Sequence, residues 1–250
     1  MKNFTNNFKQ FTSRLSARWL IMALMLLLGT SSAWAATIYF DANYNGNNWT
    51  SSSANIWACN GSITPGTPSG SNYVQGTKVA DGIYKFTVTW STVKFLRTNP
   101  SGNGLWNNSN AVNVTDGYTY LVNGWSNHAP IAVNLIVAGS INGDDSDASI
   151  FGTAWSPTTT ANKMTFDETN KVFVKEYLTN NTSDITIAFK ITGGSWTYSW
   201  PGSNKTHTIS KGCKKTIIKF DLSGSNTTVS ATTSDSDHCC PAPEMPTATV

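Results

Sequence analysis

Eight tryptophans lie downstream of residue 35: Trp49, Trp57, Trp90, Trp106, Trp125, Trp155, Trp196 and Trp200. Several have turn-forming neighbours, as in Asn47-Asn48-Trp49, Leu105-Trp106-Asn107-Asn108, Gly194-Ser195-Trp196 and Ser199-Trp200-Pro201. An indole gains by leaving water, whereas loops run over the surface. Indoles displayed there beside amides suit a sugar ring, which offers a flat C–H face for stacking and hydroxyl edges for hydrogen bonds. The expected chemistry is therefore carbohydrate capture. The structural alternative is that the same indoles plug small β-sandwich cores.

Cleavage of a glycosidic bond is a different matter, because it normally needs two carboxylates flanking the bond. Residues 36–126 hold only Asp41, Asp81 and Asp116, and no Glu. Asp81-Gly82 and Asp116-Gly117 are turn dipeptides. Asp167, Glu168, Glu176 and Asp184 border a hairpin pattern and read as solvated charges. No nucleophile-elbow, zincin or P-loop motif is present, and His128, His207 and His238 fall in turn-like or linker settings. The chain is expected to be no enzyme and to need no cofactor. The acidic run from Asn142 through Asp144 and Asp145 to Asp147 lacks the sixth-position Gly and closing Glu of a calcium loop. His238-Cys239-Cys240 lacks the ligand spacing of a structural metal site, so no metal is expected.

Residues 1–35 read as a secretory leader. Lys2, Lys9, Arg14 and Arg18 precede an apolar run from Trp19 to Leu28, and Ala33-Trp34-Ala35 makes a small-residue exit. The run is too short to span a bilayer, which needs roughly 20 residues. Export would leave 13 basic residues against 14 acids, a net charge near −1 in place of +3. No basic stripe remains to neutralise phosphates, which argues against nucleic acid as a partner. Oxidising conditions permit a disulfide. Cys213 with Cys239 or Cys240 is conceivable, leaving Cys59 alone and buried.

Short strand-like runs fill the exported part. In its first half they are 37–40, 55–58, 82–88, 93–97 and 118–122; in the second, 133–137, 172–177, 185–191, 216–222 and 228–231. Gly, Asn, Asp and Ser clusters bound them, and no segment has a sustained helical period. The fold class expected is all-β: two tandem immunoglobulin-like β-sandwich modules after a signal peptide, with a Pro-rich C-terminal tail. The seam is placed at Asn123 to Pro130, giving modules over 36–126 and 127–232 and a linker or tail over 233–250. Three Pro within six residues of that tail cannot form a sheet interior.

The segment Val93-Lys94-Phe95-Leu96-Arg97, with Pro100 and Trp106-Asn107-Asn108 following and then Asp116-Gly117-Tyr118, resembles starch-binding modules of the family-26 type. The opening Ile38-Tyr39-Phe40 with Trp49 and Trp57 is similar to the start of such modules, where an aromatic pair makes the stacking platform. The second half resembles sandwich modules of outer-membrane starch-utilisation surface proteins, through Val137-Ala138-Gly139, Trp155-Ser156-Pro157 and Phe189-Lys190-Ile191 with Trp196. The Gly61–Asn72 insert and the acidic loop after Asn142 depart from these patterns.

The resemblance implies two sugar sites. In the first, Trp106 with Trp57 or Trp49 stacks while Asn107 and Asn108 bond ring hydroxyls. In the second, Trp155 and Trp196 stack, Lys190 donates to a hydroxyl and Trp200 lines the edge. The partner is then a starch-like glucan polysaccharide, bound by a non-catalytic, exported, secreted or bacterial cell-surface protein, with a cell-surface or multidomain partner conceivable. Each site alone should be weak, roughly −4 to −8 kcal/mol. Two other readings stand beside this one: an adhesin-like or structural spacer, and a lectin-like module for host glycans.

Overall fold

The computed structural model describes residues 34–46, 48–63, 68–122, 130–145, 149–223 and 227–239. The leader before Trp34, most of the 123–130 seam with Trp125 and His128, Asp147, and the tail from Cys240 lie outside them. A compact unit begins at Ala36. Its regular structure is all-β, with only short 3₁₀ turns beside the strands among the described residues.

The strands are β1 (Ala36–Asp41), β2 (Asn55–Cys59), β3 (Tyr73–Gln75), β4 (Thr77–Ala80), β5 (Ile83–Val88), β6 (Thr92–Thr98), β7 (Leu105–Asn108), β8 (Val112–Asn113) and β9 (Thr119–Leu121). They continue as β10 (Ile131–Val133), β11 (Ile136–Ile141), β12 (Thr165–Asp167), β13 (Val172–Asn181), β14 (Ile185–Thr192), β15 (Ser199–Ile209), β16 (Gly212–Asp221) and β17 (Thr228–Asp235). Four sheets result, in the orders β10-β9-β1-β5-β4, β3-β2-β6-β7 with β8 on β6, β11-β14-β15, and β12-β13-β16-β17. Pairing is antiparallel throughout, except that β1 and β9 run parallel.

The β1 sheet is covered on both faces, which explains why Ile38-Tyr39-Phe40 has no polar alternation. Side chains on a strand alternate between faces. Ile38 and Phe40 enter a core with Trp49, Ile56, Phe95 and Tyr120, where Phe40 and Phe95 stack at 4.3 Å between centroids. Tyr39, on the opposite face, joins a core with Ile83, Leu121 and Val133 and with Phe173, Phe189 and Phe220 of the second half. Its ring meets Phe166 at 5.2 Å and Phe173 at 5.5 Å.

The run expected as one strand over 133–137 is two strands. Val133 ends β10, which pairs with β9, and Ile136 begins β11, which pairs with β14. The chain therefore adds a strand to the first half's sheet before it starts the next one. Two segments expected as Trp-bearing loops are also strands: Trp106 lies in β7 and Trp200 in β15. β15 lies at the edge of its sheet, which is where a strand tolerates Pro201.

Candidate functional site

The second half brings two indoles together. Trp155 follows β11, and its backbone N–H donates to the Gly139 carbonyl at 3.0 Å. Its indole N–H donates to Asp145 Oδ1 at 2.6 Å, so one member of the acidic loop aims the ring. Trp155 has φ +50°, a left-handed conformation costing an ordinary side chain roughly 1–2 kcal/mol. Strain of this kind persists where surroundings over-determine it, commonly at binding sites. Trp196 is 44 % exposed. The two ring centroids are 6.3 Å apart with planes inclined at 48°.

Two glycines make this arrangement possible. A Cβ on Gly139 would lie 2.4 Å from the Ala188 carbonyl oxygen and 2.9 Å from Phe151, so only glycine lets β11 approach β14 there. Gly193 opens the turn carrying Trp196, and its N–H donates to the Tyr198 carbonyl at 2.8 Å. A Cβ on Gly193 would meet Val133 at 2.9 Å.

Among the described residues, the first half offers a single exposed indole after the leader. Trp106 is 43 % exposed, and the Arg97 guanidinium stands 4.7 Å from its ring centroid, a contact worth about 0.5–1 kcal/mol at an exposed site. Arg97 is itself buried and well held. It donates to the Trp49 carbonyl at 2.6 Å, to Ser51 Oγ at 2.7 Å and to Asn107 Oδ1 at 3.1 Å. Asn107 therefore braces the arginine, and Asn108 donates to the Ser109 carbonyl at 3.3 Å.

Trp49 must be corrected. It is 0 % exposed and packs on Phe40, so it fills the core and stacks on no ligand. Its loop folds inward because its backbone N–H bonds the Ala42 carbonyl. Trp57 is half-buried, its indole N–H donating to Thr98 Oγ1 at 3.0 Å; Trp106 has Arg97 over its ring instead of a second indole. Trp200 is also turned toward packing, 5.2 Å from Phe220 at the margin of the second core. The Lys190 ammonium donates to the Gly202 carbonyl at 2.8 Å, leaving its other protons for a further acceptor. Trp90 packs against the first core as expected.

Asp41 has no turn glycine after it, unlike Asp81 and Asp116, and burial pushes its pKa up to about 7. A shift of that size often marks a catalytic acid. Here the side chain is 1 % exposed, with Oδ1 accepting the Asn43 N–H at 2.9 Å and Oδ2 without a protein partner. The carboxyl is closed off from solvent in this fold. Cys213 and Cys239 form a disulfide, while Cys59 is free, buried and held protonated by that burial. No cluster of three or more metal-binding side chains occurs among the described residues, and no helix there is long and apolar enough to cross a membrane.

No family model matches this chain, and neither a curated protein nor a solved structure matches it.

Proposed function

We propose that this is an exported, non-catalytic protein that binds a neutral glucan of the starch type through the Trp155–Trp196 pair. The halves act as two sandwich modules built back to back, the first contributing Trp106 as a weaker contact. The observation that carries the reading is the pair itself: an exposed Trp196 and a half-buried Trp155 at 6.3 Å, the latter held in a strained backbone conformation and aimed by a carboxylate. Their 48° inclination favours a curved chain over a flat ribbon, since successive rings of an α-linked glucan turn and those of a β-1,4 chain do not.

The spacer reading draws on the burial of Trp49 and the packing of Trp57 and Trp200. Affinity electrophoresis through starch- or glycogen-containing gels separates the two. Retardation of the wild type that Trp155→Ala with Trp196→Ala abolishes supports glucan binding. Unretarded wild-type protein rejects it, and release of sugar from soluble starch rejects the non-catalytic assignment.

A further inference from the structure

A cleft of about 330 Å³ lies where the two halves meet, lined by Tyr118 on one side and by Asn134, Thr158, Thr160, Gly193 and Gly194 on the other. Resting on the glucan reading above, we infer that this cleft is a further sugar subsite continuous with the indole pair, so that one neutral glucan chain is gripped by residues of both halves.

The first argument is shared walls. Thr158 and Thr160 follow Trp155 on one loop, and Gly193 and Gly194 precede Trp196 on one turn. The loop and the turn are fastened together at their roots, where Thr192 Oγ1 donates to the Pro157 carbonyl at 3.3 Å. The cleft and the platform are therefore two ends of one surface.

The second argument is chemistry. Ligand sites commonly occupy about 300–1,000 Å³, so this one suits a single small ring. Its lining consists of the Tyr118 ring, the aliphatic side chains of Ala132 and Ile136, two threonines, an amide and half-buried glycine backbone, with no charged side chain. The Lys163 ammonium lies 5.4 Å from the Tyr118 ring centroid and donates to the Asp116 carbonyl at 3.3 Å. Those contacts also fix the phenol from the second half. An uncharged, hydroxyl-rich ring fits such a wall better than a phosphate or carboxylate.

The third argument is an unmet acceptor. Asn134 Oδ1 is enclosed and has no hydrogen-bond partner in the protein, an arrangement that calls for a physical reason. A small turn of this amide toward the cleft would let a sugar hydroxyl donate to it. The junction itself is firm, because Tyr39, Phe166 and Phe173 pack across it. Binding therefore need not order two loosely tethered modules.

Calorimetric titration with α-linked glucose oligosaccharides of graded length tests this, using wild type, Tyr118→Ala, Thr160→Trp and Trp196→Ala, each checked for a native melting profile. Thr160 is exposed, so an indole there blocks the cleft without entering a core. The expected result is a wild-type affinity that rises with length. Tyr118→Ala and Thr160→Trp lose about tenfold on the long oligosaccharide, roughly 1.4 kcal/mol, and less than about twofold on the disaccharide. Trp196→Ala weakens both. If Thr160→Trp binds the long oligosaccharide like wild type, the subsite is overturned while the indole platform stands. If wild type binds no length, the glucan reading fails and the subsite falls with it.

Discussion

The two halves treat the same residue type in opposite ways. In the first, Trp49 is drawn wholly inside, Trp57 is tied to Thr98, and Trp106 is displayed with a cation over its ring. In the second, Trp155 and Trp196 are set beside one another at the rim, and only Trp200 is given to packing. The difference traces to the backbone. The loop carrying Trp49 bonds to Ala42 and buries its indole fully, whereas Trp155, bonded to the carbonyl of Gly139 in a left-handed conformation, stays only half-buried. Turn-forming neighbours beside a Trp therefore do not fix how far the indole is buried, and the local hydrogen bonds decide it.

The largest contrast should appear in stability. Trp49→Ala is expected to cost about 3–5 kcal/mol in urea unfolding, as for other large aromatic side chains removed from cores. Any glucan binding per folded molecule should survive, and loss of binding by a still-folded variant would break the contrast. Asp41, on β1 near Asp221 of the second half, tests the junction between them. Its folded pKa of about 7 lies above the ordinary 3.8, so between these values the native state holds a proton that the unfolded chain has released. Stability contributed by this group is full below about pH 4 and declines until about pH 7, by on the order of 4 kcal/mol. Asp41→Asn should flatten that slope and raise the melting temperature at pH 8. A slope identical to wild type would show that Asp41 ionises normally.

Cross-linking separates the halves as well, since Cys213–Cys239 lies in the second and Cys59 is free in the first. Breaking the bridge by Cys213→Ser with Cys239→Ser should cost about 3 kcal/mol by loop entropy. Hydrogen exchange should locate the loss in β16 and β17 and spare β1 and β5. Trp155→Gly is expected to leave the melting temperature unchanged or slightly higher, because glycine relieves roughly 1 kcal/mol of strain, while starch retardation falls at least tenfold. The smallest effect is that of Trp106→Ala, a loss of about threefold, or roughly 0.6 kcal/mol. A larger loss there than at Trp196 would reverse the ranking of the two halves.

Most of the central strands were legible because their apolar runs sit between turn dipeptides, as with β5 after Asp81-Gly82 and β14 from Ile185. The pairing expected for Cys213 included the partner it takes. What was not legible depends on contacts distant in sequence. β15 was hidden because Ser199-Trp200-Pro201-Gly202 has turn composition, which an edge strand can absorb. β7 was hidden because a bulge beside Arg97 places Trp106 out of register. The break at Asn134 is invisible in an apolar stretch that reads continuously. Asp145 stands in an acidic run that lacks the calcium-loop pattern, and only the fold brings it to the Trp155 indole. The opening strand was the misleading case in reverse: its lack of alternation signalled burial on both faces, a sign that the sheet between the halves is shared.

The bridge between Cys213 and Cys239 also decides how this molecule would meet a mechanical load. β17 is an edge strand, and a tug on a chain end beyond it would ordinarily unzip its hydrogen bonds one after another. With the sulfurs joined, tension arriving from the carboxyl side skips β17 and enters at the start of β16, which is flanked on both sides by β13 and β17. The chain between the two sulfurs, which carries nearly all of β16 and the whole of β17, is a closed loop that this tension does not extend, so both strands are shielded from a pull at that end.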